Sequence, residues 1–427
     1  MTNTELLARR DRLLGAKMTT FYRDPVNIVR GEGAWLFDAD GKRYVDMYNN
    51  VPCVGHAHPR VVEAMREQMA TLNVHSRYLH EGILDYAERL MDRHTETITT
   101  VVFSCSGTEA NDAAMHMARI ATGGHGIICT DAAYHGNSME VRKLTNVRTA
   151  RDPEIRSIPF PQMYRPLREG VSSAELTELY LAKVQEAIDD FKARNVPLAG
   201  MLVCPILANE GLPNIPDGFM AGAAAMIREA GGLFIADEVQ SGFCRTGQWW
   251  GYEAEDFVPD IVTMGKPMGN GVPLSATAAR KDLVDAFREE TRYFNTFASC
   301  PLQAAVGMAV LEVIEEENLL QNVADTGDYL LKELVKFENR CESLAEVRGR
   351  GLFISLEWVS DRAAKTPDHD GAVDMVNRLK DKGFLVSTDG ALDNLVKIRP
   401  PLVFQREHAD LFLSAFEETL EELHVRT

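Results

Sequence analysis

Apolar positions along the chain fall into two rhythms. Short unbroken runs mark strands: Val101-Val102-Phe103, Gly126-Ile127-Ile128-Cys129, a run over 198–204, Gly232-Leu233-Phe234-Ile235-Ala236 and Ile261-Val262-Thr263-Met264. Between them, apolar residues recur three and four apart, the spacing of helices with one buried face. Val61, Val62, Ala64, Met65 and Met69 follow Pro59, a residue suited to a first helical turn. A second helix is expected near 83–91, a third on Ala110, Ala113, Ala114, Met117 and Ala118, and two more over 172–193 and 217–229. Wholly apolar strands alternating with helices predict an α/β fold with a mostly parallel sheet covered on both faces.

The two ends of the chain break this rhythm. Residues 1–20 read as a polar amphipathic helix or arm. Apolar runs around the Asp38-Ala39-Asp40-Gly41 turn then predict a hairpin. A long helix is expected from Pro301. Beyond Cys341 the text changes to a strand at 351–356, a helix at 373–382, strands at 384–386 and 395–398, and a final helix at 406–423. The organisation expected is a large domain over 56–325 and a smaller α+β domain over 326–427. Residues 1–55 would add an arm and hairpin to the smaller one.

Composition narrows the function. The chain has 427 residues, 45% apolar and 25% charged, ordinary values for a folded globular protein. Its net charge of −18 argues against nucleic acid or an acidic membrane surface as partner. No run approaches the length of a membrane-spanning helix. Seven scattered cysteines without a CxxC fit a reducing compartment, and the first residues have no signal-peptide core. These absences lead to the expectation of a cytoplasmic protein. His56 and His58 have no third ligand at suitable spacing, so no metal is expected.

Four polar clusters fall where the apolar strands end, the edge at which open α/β sheets bind ligands. Ser106-Gly107-Thr108 precedes a helix and offers free backbone N–H groups to an anion; the plain alternative is a helix cap, with Thr108 at the cap and Asn111 three residues on. Asp237 closes an apolar strand, where a carboxylate needs a partner: a cationic ring nitrogen or a salt bridge. Lys266 sits between Gly265 and Pro267. It is either an ordinary loop lysine or a desolvated amine able to attack a carbonyl. Tyr134 could stack on a planar ring or pack under its own loop. Together these groups supply a phosphate cup, a ring face, a ring-nitrogen carboxylate and a carbonyl-attacking amine, the parts that pyridoxal phosphate requires.

The segment Leu233 to Gly247, with Ala236-Asp237-Glu238-Val239-Gln240-Ser241-Gly242 at its centre, is followed by Lys266. With these residues the chain resembles the class III (ω-type) aminotransferases, pyridoxal-phosphate enzymes of fold type I, from about Asp24 to Leu423. The resemblance implies that Lys266 joins the cofactor aldehyde and serves as general acid and base. It implies that Asp237 pairs with the ring nitrogen and Gln240 touches the ring hydroxyl. Ser106, Gly107 and Thr108 would hold the phosphate, and Tyr134 would stack on the ring. Thr296 would reach across a homodimer with shared active sites, and Arg399 would bind a substrate anion. The segment Cys204-Pro205-Ile206-Leu207-Ala208 departs from the family's Glu-Pro-x-Gln-Gly.

Three further stretches, 21–30, 55–59 and 71–80, resemble the branch of phospho-lyases acting on O-phosphoethanolamine or phosphohydroxylysine. That resemblance implies a small anionic amine substrate. Arg23, Arg30, Arg77 and Arg399 are the candidates for its phosphate, because the planar guanidinium matches phosphate oxygens. The expected reaction eliminates phosphate to give acetaldehyde and ammonia. The alternative is amino transfer from an amine or ω-amino acid to a keto acid such as pyruvate.

Overall fold

The computed structural model describes residues 2–145 and 152–424; Met1, where the expected arm begins, and 146–151 and 425–427 lie outside the described residues. The first sheet starts with β1 (Ile28–Glu32), β2 (Trp35–Asp38) and β3 (Arg43–Asp46). The large sheet contains β4 (Thr100–Ser104), β5 (Gly126–Thr130), β6 (Ile155–Ile158), β7 (Leu198–Val203), β8 (Leu233–Asp237), β9 (Ile261–Met264) and β10 (Ser275–Ala279). Its spatial order is β4-β10-β9-β8-β7-β5-β6. The pairs β8·β9, β7·β8, β5·β7 and β5·β6 are parallel, and β10 runs antiparallel to both neighbours.

Burial explains the strand text. Every residue of β5, β7 and β9 is buried, so no polar alternation is needed. Helix Gly107–Thr122 presents Ala110, Ala113, Ala114 and Ala118 on its buried side, small residues that let it lie close to the sheet. Two strands of the large sheet escape the apolar-run reading, β6 and β10. β10 reads Ser-Ala-Thr-Ala-Ala, yet all five residues are buried. Its hydroxyls are satisfied inside: Ser275 Oγ bonds Ser104 Oγ at 2.7 Å, and Thr277 Oγ1 donates to Ala110 O at 2.7 Å.

The C-terminal part forms an antiparallel sheet of β11 (Leu344–Arg350), β12 (Phe353–Asp361), β13 (Thr366–Pro367), β15 (Ser387–Asp389) and β16 (Leu395–Ile398). The remaining strand, β14 (Phe384–Leu385), pairs in parallel with β3. The N-terminal hairpin is therefore closed by a strand from the far end of the chain rather than by local pairing alone. Met47 O accepts from Arg399 N at 2.7 Å and Cys53 O from Leu402 N at 2.7 Å, which fixes the segment after β16 against the N-terminal segment. Among the described residues, no helix is long and apolar enough to cross a membrane.

Candidate active site

The ends of β4, β5, β7, β8 and β9 surround a cavity of about 120 Å³. β4 leads into the helix that starts at Gly107. The cap there is Ser106, not Thr108 as the sequence suggested: Ser106 Oγ accepts from Glu109 N at 3.2 Å, and Glu109 Oε2 accepts from Ser106 N at 3.1 Å. Glu109 supplies the acid that a capping box needs, and Asn111 does not. Thr108 is thereby left to line the cavity beside the helix N-terminus, whose first N–H groups and positive dipole end favour an anion. Space there depends on missing Cβ atoms. A Cβ on Gly107 would come within 2.8 Å of Val239 Cγ1, and Gly136, at φ +145°, would bring one within 2.6 Å of Thr108 Oγ1.

Asp237, the last residue of β8, is buried and held from three sides. Its Oδ2 lies 2.7 Å from His135 Nδ1 and accepts from Asn111 Nδ2 at 3.0 Å, and its Oδ1 accepts from Val239 N at 3.0 Å. Burial alone would raise its pKa. The bond and charge of His135, with those two donors, outweigh burial and hold the carboxyl below its ordinary value. Asn111 is clamped in turn, since its Oδ1 accepts from Thr263 Oγ1 on β9 at 2.7 Å.

Lys266, two residues past β9, lines the same cavity. Burial pushes its amine down to about 8, against the pull of Asp237, and the charge of Arg399 pushes the same way as burial. Among the described residues its Nζ has no hydrogen-bond partner. The amine therefore gives up its proton more readily than an ordinary lysine does, as attack on a carbonyl requires. Tyr134 borders the cavity on the loop after β5, with its OH accepting from Asn137 Nδ2 at 2.9 Å.

Gln240 completes the set. Its Nε2 donates to Asn209 Oδ1 at 2.9 Å and its Oε1 accepts from Arg399. Arg399 follows β16, donates from Nε to Tyr48 O at 2.9 Å, and lies over the Tyr48 ring at 4.1 Å. Asn209 also donates to Tyr134 O at 3.0 Å. Sequence reading did not single out Asn111, His135 or Asn209 as site residues. The available signal was position: His135 stands beside Tyr134, and Asn209 is polar in the apolar loop that follows β7.

The other arginines lie elsewhere. Arg23 pairs with Asp374 at 2.8 Å, and Arg30 pairs with Glu32 at 2.8 Å and covers Phe37; neither lines the cavity. Nearby carboxylates on the outside of the fold engage both. Arg77 is exposed and lies over the Phe294 ring at 4.2 Å. Thr296 is exposed two residues along the same loop and does not line the cavity of its own chain. Cys204 does line it, buried, with a thiol that burial holds above its ordinary range.

A mostly parallel sheet with an unpaired lysine, a clamped carboxylate and a helix N-terminus around one cavity defines a cofactor enzyme of the aminotransferase fold. The sequence pattern of the family described as aminotransferase class-III matches residues 19–420, and the chain belongs to that family. It is a pyridoxal-phosphate-dependent enzyme, and the residues present fit that group: a partly desolvated amine, a charged carboxylate, and an anion cup kept open by two glycines. A phospholyase from Arthrobacter in complex with phosphoethanolamine superposes with a TM-score of 0.93 at 39% identity, over 97% of this chain and 99% of that one. Among curated relatives, the alanine–glyoxylate aminotransferase 2-like protein of Drosophila melanogaster is 37% identical over 98% of this chain and 87% of its own. The ethanolamine-phosphate phospho-lyase homolog 1 of Caenorhabditis elegans is 35% identical over 97% and 93%.

The expectation of a cytoplasmic protein is overturned. The relatives called alanine–glyoxylate aminotransferase 2 in Arabidopsis thaliana (homolog 2, 35% identical) and Homo sapiens (31% identical) are mitochondrial by name. Unpaired cysteines report a reducing environment, which more than one compartment provides, so they could not separate the two.

Proposed function

We propose that the chain is a phospho-lyase that converts O-phosphoethanolamine and water to acetaldehyde, ammonia and inorganic phosphate. The observation that carries this reading is the near-complete superposition on the phosphoethanolamine-bound phospholyase. Pyridoxal phosphate, when bound, supplies an electron sink for the carbon next to the substrate nitrogen. Gly107, Thr108 and the helix N-terminus would hold its phosphate, Tyr134 would face its ring, and Asp237 would hold the proton on its ring nitrogen. Gln240 would contact the ring hydroxyl.

Lys266 Nζ is the base that takes the proton from the carbon bearing nitrogen. Arg399 is the cation for the substrate phosphate. Its partners in the fold, Tyr48 O and Gln240, are neutral, so its charge remains available to an anion. Cys204 adds no competing carboxylate to the cavity. When the leaving phosphate is aligned with the developing electron pair, its C–O bond breaks and the amine is released by hydrolysis. Without that alignment, the same lysine would return the proton elsewhere and amino transfer would follow. The aminotransferase reading is favoured by the 37% identical Drosophila relative. The deciding measurement is phosphate release from O-phosphoethanolamine without any keto acid. Many turnovers support the lyase; none, with bound cofactor intact, supports the transferase.

The active unit is proposed to be a homodimer. Around Arg77 and Thr296 the surface carries Phe297 at 76% and Leu79 at 100% exposure, more apolar area than a lone chain keeps in water without reason. A dimer through this face would bring Arg77 and Thr296 toward the second site. Co-expressing Lys266→Ala with Arg77→Ala chains tests it. Shared sites restore part of the activity that each variant loses alone, and independent sites restore none.

A further inference from the structure

Two buried polar atoms, one on a residue that lines the cavity, have no partner among the described residues: His135 Nε2 and Glu210 Oε2. They belong to loops that leave adjacent parallel strands, β5 and β7. His135 is 4% exposed and Glu210 3%. The Glu210 carboxyl is near enough to His135 to respond to its charge. The other polar atom of each side chain is already fixed. His135 Nδ1 lies 2.7 Å from Asp237 Oδ2, and Glu210 Oε1 accepts from Thr130 Oγ1. Buried polar atoms in native proteins have a partner, from the chain or from ordered water, in nearly every instance.

We propose that Glu210 is a positioning residue: its Oε2 is joined to His135 Nε2 through one buried water, and it thereby fixes His135 against Asp237 and Asp237 against the cofactor's ring nitrogen. This rests on the reading that Asp237 faces that nitrogen. Burial holds the Glu210 carboxyl above the usual carboxylate range, although Thr130 and the charge of His135 pull the other way. One water, with two donors and two acceptors, spans Glu210 Oε2 and His135 Nε2, while Nδ1 stays on Asp237 Oδ2. Lys397, a cation near Glu210, is occupied by Ala208 O at 2.6 Å and by Asp389, and Arg165 and Arg348 by Glu357. Glu210 also borders a second cavity of about 180 Å³ beside Arg165 and Arg348, a path by which water reaches it.

The test compares wild type, Glu210→Gln and Glu210→Leu as holoenzyme and apoprotein, with ¹⁵N-labelled histidine. Expected in wild type is a His135 whose Nδ1 and Nε2 are both hydrogen-bonded, Nδ1 to Asp237. Glu210→Gln, which keeps a donor, retains these signals. Glu210→Leu loses the Nε2 bond, moves the midpoint of the cofactor's visible-band pH titration, and weakens cofactor binding about tenfold, the loss of one buried hydrogen bond. A wild-type Nε2 shift typical of an unbonded nitrogen overturns the proposal, even where the leucine variant does not fold. So does a folded Glu210→Leu with the wild-type histidine signals and midpoint. Asp237→Asn separates the underlying reading. A cofactor band insensitive to it refutes the ring-nitrogen assignment, while the apoprotein histidine signals still report on Glu210.

Discussion

Arg399 donates a hydrogen bond to Gln240, which fastens the segment after β16 of the C-terminal sheet to the turn after β8 of the large sheet. The contact puts a cation on Gln240, which lines the cavity although Arg399 itself does not, and orients the Gln240 amide, whose other end is held by Asn209. Any movement of the C-terminal sheet is therefore transmitted to the residue proposed to touch the cofactor ring.

That relationship gives the first expectation. Arg399→Ala should lower kcat/KM for O-phosphoethanolamine by about 10- to 100-fold, the value of a charge-assisted hydrogen bond. Arg399→Lys should recover little, because an ammonium cannot bond Tyr48 O and Gln240 while also presenting a fork to phosphate. Steady-state kinetics of phosphate release measure both.

Lys266 carries a stability cost in the apoprotein. Its folded value, about 8, lies below the ordinary 10.5. Between those values the unfolded chain binds more protons, so this group adds stability as pH rises from about 8 to about 10.5 and costs stability below. Lys266→Met apoprotein should be more stable than wild type by about 3 kcal/mol at pH 7, with the gap closing as pH rises through that window. Denaturant unfolding at several pH values checks it. The same variant should have no measurable lyase activity.

Glu238, fully buried beneath the turn after β8, is pushed by burial up to about 7 while Ser241 Oγ and the N–H groups of Gly251 and Tyr252 pull it down. Its folded value exceeds its ordinary 4.5, so its contribution is present at low pH and lost as pH rises through about 7. Glu238→Gln would turn an NH₂ toward an N–H donor and cost about 1–3 kcal/mol. The deficit should be largest near pH 5 and shrink by pH 8, read from unfolding curves of the two proteins.

Gly136→Ala should weaken cofactor binding more than it lowers stability. The methyl would meet Thr108 Oγ1 and a positive φ disfavours any Cβ. About tenfold weaker binding is expected at a destabilisation of about 1–2 kcal/mol. Titration of apoprotein with pyridoxal phosphate, beside a melting curve, separates the two effects.

The sequence by itself determined the class of fold and the cofactor chemistry. Strands buried on both faces are written as unbroken apolar runs, as at β7 and β8, and polar residues that interrupt such text at strand ends, such as Asp237 and Lys266, mark the binding edge. β10 was illegible because its Ser and Thr hydroxyls find partners only across the assembled sheet. The cap at Ser106 is legible in its Glu109 partner, which the alternative cap at Thr108 lacks. Tertiary structure alone decided which arginines approach the cavity. Arg23, Arg30 and Arg399 were all candidates for the substrate anion, yet Asp374 engages the first and Glu32 of the same strand the second, while β16 delivers the third to Gln240. It also decided the contacts of Asp237, since Asn111 and His135 reach it from a helix and a loop distant along the chain. Local spacing encodes elements; the surroundings of a buried charge are set by where separate elements meet.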